Sequence, residues 1–152
     1  MKKIFSFTII LLLLTLVSLN NPIQAQNAKT NAALDFCNSY TKGGIPINPD
    51  DVWNCIGHDA CYLYAIVNLP YYSQDSYIDF YVYQVEDYNL KSEKEYYYNS
   101  SVVFNPGMSF CWAATKLTFS SPGFYRVYVY TRETSSSEQY FVGYRDLVWK
   151  FR

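Results

Sequence analysis

Ser120-Ser121-Pro122-Gly123-Phe124-Tyr125-Arg126-Val127-Tyr128-Val129-Tyr130-Thr131-Arg132 is the stretch that decides the fold class. Pro122 and Gly123 make a turn, and a strictly alternating run follows it. Tyr125, Val127, Val129 and Thr131 share one face; Phe124, Arg126, Tyr128, Tyr130 and Arg132 share the other. Period two with β-branched and aromatic residues predicts a half-buried strand.

Working outward, the same signals recur on both sides. Tyr77 to Val85 alternates, with Ile78, Phe80 and Val82 turned to a core and Tyr77, Asp79, Tyr81 and Tyr83 turned away. Cys61 to Leu69 is apolar on both faces, as a buried strand would be, although a buried helix has the same period-free look; Pro70 is expected to end it. Tyr96 to Phe104 is stopped by Asn105-Pro106-Gly107, and Phe110 to Phe119 continues with Thr115, Leu117 and Phe119 on one face. Beyond the Ser-rich loop 134–138 come Tyr140 to Tyr144 and Leu147 to Phe151. Six or seven short strands in roughly 90 residues predict an all-β domain, an antiparallel sandwich. Residues 41–51 carry turn chemistry and predict no regular element.

The run Leu117 to Val129 resembles the strand corner of secreted immunoglobulin-like modules, with Tyr125 standing where the corner tyrosine stands. The resemblance covers roughly Ala60 to Phe151 and implies a single immunoglobulin-like antiparallel sandwich of about seven strands; the cysteine-bearing residues before it are expected to form a disulfide-bearing N-terminal loop region. Such folds host many functions, so the resemblance by itself names none. A buried hydroxyl at this position would satisfy a stray carbonyl of the turn.

The first 25 residues have the form of a secretory signal: Lys2 and Lys3, an apolar run from Ile4 to Leu19, then Pro22 and a small residue at Ala25. The expected organisation is a signal at 1–25, a loose lead at 26–35 and the sandwich at 36–152. The protein is expected to be secreted, to a periplasm or the cell exterior, with no transmembrane segment once the signal is cleaved. Half of the 152 residues are hydrophobic and 20% are aromatic, which excludes a mainly disordered chain. A net charge of −1 argues against nucleic acid as a partner. Four cysteines in an exported chain, Cys37, Cys55, Cys61 and Cys111, predict two disulfides, with all three pairings open.

Two segments could carry function. Cys55-Ile56-Gly57-His58-Asp59-Ala60-Cys61-Tyr62 resembles the active-site signature of secreted phospholipases A2. That resemblance implies a helix, with His58 as general base, Asp59 as a calcium ligand and Tyr62 in support. The family's second helix has no counterpart here, and a turn between structural cysteines accounts for the same residues. The other segment pair is tyrosine-rich. Tyr77, Tyr81 and Tyr83 share the outward face of one strand, and Tyr128 and Tyr130 that of another. If the strands are neighbours, they make an aromatic patch suited to a glycan or a protein surface; tyrosine also simply fits a half-buried pleat. Asn99-Ser100-Ser101 is a glycosylation sequon where the host secretes through an endoplasmic reticulum. The sequence thus favours a secreted, non-catalytic binding or adhesion module with no cofactor. The alternatives are a calcium-dependent esterase and a structural part of a secreted or envelope assembly.

Overall fold

A computed structural model describes residues 32–55, 61–86 and 94–151. The signal segment 1–25, most of the lead, and His58 and Asp59 lie outside the described residues. The chain is all-β. In order the strands are β1 (Ala33–Cys37), β2 (Ser39–Tyr40), β3 (Pro46–Ile47), β4 (Val52–Cys55) and β5 (Tyr62–Ser73). They continue with β6 (Tyr77–Val85), β7 (Lys94–Val103), β8 (Phe110–Thr118), β9 (Gly123–Arg132) and β10 (Tyr140–Phe151).

Three strands form one sheet in the order β1-β5-β8, and five form another in the order β4-β10-β9-β6-β7. A single apolar core draws on both. Leu34, Phe36, Leu63, Ala65, Val67 and Leu117 come from the first, with Ile78, Phe80, Val82, Val127, Val129, Leu147 and Trp149 from the second. β9 buries the face that alternation assigns to it, and so does β6. β5 is the middle strand of its sheet, and Ala65, Ile66 and Val67 are all fully buried, which is why it reads as apolar on both faces.

Turn chemistry places the strand ends. Met108 N–H donates to the Asn105 carbonyl at 3.1 Å across Pro106 and Gly107, and Gly107 takes a φ of 82°. Pro at the second position and a positive-φ Gly at the third are what a type II turn demands. At the corner before β9, the buried Tyr125 hydroxyl donates to the Ser121 carbonyl at 2.9 Å. The buried phenol thus satisfies its own hydroxyl on a carbonyl of the turn.

Several expectations change. Pro70 does not end β5; the strand runs on to Ser73, and the ladder to β8 is interrupted between Asn68 and Ser73. A proline is tolerated there because the irregularity asks no ladder hydrogen bond of it. The segments 140–144 and 147–151 are one strand, irregular between Phe141 and Gly143. The N-terminal region is stranded rather than looped. β1 begins at Ala33, inside the stretch assigned to the lead, because Leu34 and Phe36 are core residues. β3 occupies Pro46–Ile47 within the predicted turn region. β4 pairs with β10 in parallel, so the larger sheet is not wholly antiparallel. Arg145 ties this crossover down: its guanidinium donates to both Asp51 carboxylate oxygens at 2.6 and 3.1 Å, to Asp35, and to the Leu34 carbonyl at 2.7 Å.

One disulfide is present, Cys55–Cys61, and Cys37 and Cys111 are thiols. The sheet register explains why the second predicted bridge is absent. Cys37 lies opposite Tyr64, and Tyr64 lies opposite Lys116, so Cys111 is two strands over and further along β8. At about 4.8 Å per strand and ~3.3 Å per residue the pair is roughly 19 Å apart, beyond the ~7 Å that a bridge allows. Burial pushes the Cys37 thiol up, which keeps it protonated and inert.

Candidate functional site

β6 and β9 are hydrogen-bonded neighbours, and Tyr81 lies directly opposite Tyr128. All five tyrosines singled out in the sequence, Tyr77, Tyr81, Tyr83, Tyr128 and Tyr130, therefore stand on the outer face of the five-stranded sheet. The rings meet edge to face: Tyr81 with Tyr130 at 5.6 Å between centroids, and Tyr83 with Tyr128 at 5.6 Å. Alternating quadrupoles favour this geometry over flat stacking.

The layer is wider than the sequence suggested. Tyr96 of β7 packs on Tyr83 at 5.7 Å, and Tyr144 of β10 packs on Tyr128 at 5.6 Å. One row of rings, Tyr96–Tyr83–Tyr128–Tyr144, thus crosses four strands. A second row runs from Tyr81 through Tyr130 to Phe141, 5.6 Å from Tyr130. The five expected tyrosines are half-buried, whereas Tyr96 (53%), Tyr144 (48%) and Phe141 (37%) are exposed. The irregularity in β10 hides Phe141 and Tyr144 from an alternation pattern, since an extra residue separates their phases.

Charged groups brace both ends of this layer. Asp79 shares the outward face yet is fully buried, because Arg132, Ser101 and Gln139 close over it. Arg132 grips both carboxylate oxygens at 2.6 and 3.1 Å, Ser101 donates at 2.6 Å, and Gln139 donates at 2.9 Å. Burial on its own would raise the Asp79 carboxyl; the bonds from Arg132, Ser101 and Gln139, with the Arg132 charge, more than offset it and hold it below its usual range. Gln139 also donates to the Tyr81 hydroxyl at 2.7 Å, and Arg132 donates to the Ser135 carbonyl, so the 133–139 loop is docked onto this end. At the other end Arg126 makes a two-pronged pair with Asp146, at 2.6 and 2.7 Å. Its guanidinium lies 4.5 Å over the Tyr144 ring, while that of Arg132 lies 4.6 Å over Tyr77. Burial and the neighbouring Tyr83 and Tyr81 raise the Tyr130 phenol, so the ring stays neutral.

The phospholipase-like segment has a different setting from the one its resemblance implies. Cys55 is the last residue of β4 and Tyr62 the first of β5, so strand, not helix, occupies the described ends of that segment. Tyr62 is exposed, with the Lys116 ammonium 3.6 Å over its ring. A shallow depression of about 720 Å³ beside the disulfide is lined by Asp50, Trp53, Asn54, Tyr62 and Trp149 among others. The Trp149 indole N–H is buried and has no hydrogen-bond partner among the described residues. Among the described residues no cluster of three His, Cys, Asp or Glu could hold a metal ion, and no helix could cross a membrane.

No family model matches the chain, and no curated protein matches it. Among solved structures, it is similar to a superoxide reductase (neelaredoxin) from Ignicoccus hospitalis, at 11% identity and a TM-score of 0.37. That match covers 64% of this chain and 74% of the reductase. It is also similar to a beta-glucosidase from Listeria innocua, at 13% identity and a TM-score of 0.35, covering 79% of this chain. The chain spans only 16% of the glucosidase's length. At these scores neither likeness assigns a fold family or an activity.

Proposed function

We propose that this protein is an exported, non-catalytic binding or adhesion module of immunoglobulin-like design, presenting the outer face of its five-stranded sheet to a glycan or protein surface. The observation that carries the reading is the contiguous layer of rings crossing β7, β6, β9 and β10. Tyrosine supplies a large, stiff contact with a hydroxyl at its end, and contiguous exposed aromatic area is a mark of binding surfaces. The ion pairs at both ends hold the rings in place before any partner arrives, which lowers the ordering cost of binding. The three-plus-five strand arrangement and the Tyr125–Ser121 corner bond support the immunoglobulin-like part of the reading. The Cys55–Cys61 bridge is compatible with an oxidising compartment.

The test is a double substitution at exposed rings, Tyr96→Ala with Tyr144→Ala, probed on a glycan array and in capture of surface proteins from the host. The expected variant melts within about 3 °C of the parent, since surface changes shift stability by roughly 0.5 kcal/mol each. It should nonetheless lose capture. A variant that unfolds readily, or one that captures as the parent does, would sink the reading.

A further inference from the structure

The depression beside the disulfide has a chemistry of its own. Asn38, Asn48, Asp50 and Asn54 line it with exposed polar groups, and half-buried Trp53 lines it with them. The three carboxamides make no side-chain hydrogen bond to the described residues. Each therefore presents two N–H donors and a carbonyl acceptor. Trp53 is open in a way that the outer tyrosines are not: no described ring or cation lies over its indole. The frame around these groups is fixed before any ligand arrives. Asp50 N–H donates to the Phe36 carbonyl at 3.0 Å, and Val52 N–H donates to Asp50 Oδ1 at 3.0 Å. The Trp53 indole N–H donates to the Asp50 carbonyl at 2.7 Å, and Val148 N–H donates to the Asp51 carbonyl at 2.7 Å. Residues 50–53 are thus pinned to β1 and β10, and the Cys55–Cys61 bridge pins the end of β4 to the start of β5.

We infer that this depression is a second binding site, taking one neutral saccharide unit whose hydroxyls bond to the carboxamides and whose apolar ring face packs against Trp53. The inference goes beyond the sheet-face reading, since none of the outer tyrosines lines the depression. Three features select the ligand class. A sugar hydroxyl both donates and accepts, as a carboxamide does, so one saccharide satisfies both halves of each amide. The indole supplies the flat apolar flank that a pyranose ring needs beside its hydroxyls. Asp50 alone is charged among the described lining residues, so an anionic sugar or a phosphate would meet a like charge and no cation to pair with it. A frame already held by backbone bonds and a disulfide lowers the ordering cost of binding, which lets a shallow site hold a small ligand.

An array of neutral oligosaccharides, anionic oligosaccharides and unglycosylated peptides tests this, read with the parent protein, with Asn38→Ala/Asn54→Ala and with Tyr96→Ala/Tyr144→Ala. The parent is expected to bind neutral oligosaccharides. The asparagine variant should weaken that binding at least ~10-fold in Kd, through the loss of two hydrogen-bonding partners, and the tyrosine variant should leave it unchanged. Asn54→Asp, which keeps the shape but removes two donors and adds a charge, serves in place of the asparagine pair if the pair melts well below the parent. An array on which no neutral oligosaccharide binds overturns the inference, and so does binding that the asparagine variant retains. Binding that the tyrosine variant alone loses belongs to the outer sheet face and overturns it too, so failure here and failure of the sheet-face reading leave different patterns. Capture of peptides or anionic oligosaccharides in place of neutral ones overturns the ligand class.

Discussion

Tyrosine serves two opposite purposes in this molecule, and the comparison between Tyr125 with its neighbours and Tyr144 with its neighbours shows what separates them. At the corner before β9, Tyr97, Tyr98 and Tyr125 gather around Phe119, with Tyr125 at 4.6 Å and Tyr97 stacked on it at 6.2 Å. Each hydroxyl there has a backbone partner: Tyr125 donates to the Ser121 carbonyl, Tyr97 accepts from Ser120 N–H at 2.8 Å, and Tyr98 accepts from Thr118 N–H at 2.9 Å. Burial pushes the Tyr98 phenol to about 12. On the outer face the rings instead lean on one another and on guanidinium groups, and the row ends in exposed Tyr96 and Tyr144. The same side chain is a structural cap where its hydroxyl finds backbone, and a surface element where its ring finds other rings.

The sharpest way to break that contrast is at the corner. Tyr125→Ala is expected to cost about 3–5 kcal/mol in urea unfolding, through the cavity left beneath Phe119. Tyr125→Phe keeps the ring and isolates the hydroxyl; it should cost about 1–3 kcal/mol, because the Ser121 carbonyl loses its donor. If Tyr125→Phe proved neutral, the backbone bond would not be what distinguishes the corner from the face.

A second, smaller effect belongs to the buried carboxylate that anchors one end of the ring layer. The Asp79 carboxyl is held below its ordinary value in the folded protein, so its contribution is present above the unfolded-state value near ~3.9 and is lost as pH falls through the folded value. The melting temperature of the parent should therefore drop steeply below about pH 4. Asp79→Asn should start about 1.5–3 kcal/mol less stable at neutral pH, having lost the charge-assisted bonds from Arg132, and show a shallower acid limb. Equal acid slopes in the two proteins would mean that Arg132 and Gln139 do not hold the ionised form.

Much of this was legible in the sequence, and the exceptions have physical causes. Period two places the outward tyrosines of β6 and β9 correctly because both strands are regular and one-sided. The Pro122-Gly123 turn announces the Tyr125 corner because its chemistry is local. Non-local facts were not available. Nothing in Asp79 itself says that Arg132 and Gln139, far along the chain, will bury it. β1 and β4 escape notice because a short strand gains its stability from the sheet it joins, β1 from β5 and β4 from β10. The cysteine count implied two bridges, but only register shows that Cys37 and Cys111 are too far apart to join.

The smallest expected effect is the one that sharpens the comparison most. Tyr144 is about half exposed, and its contacts are the Tyr128 ring and the Arg126 guanidinium. A pair of rings in this geometry contributes about 0.5–1.5 kcal/mol when desolvated, and less at a surface. Tyr144→Ala should therefore cost no more than about 1 kcal/mol, because Arg126 keeps its two bonds to Asp146 and water can cover the exposed ring site. Urea unfolding beside Tyr125→Phe gives the comparison directly. A loss at Tyr144 equal to that at Tyr125 would make the face part of the fold's own support. A small loss leaves the exposed ring with no structural duty that explains its presence, which is the condition a binding residue must meet.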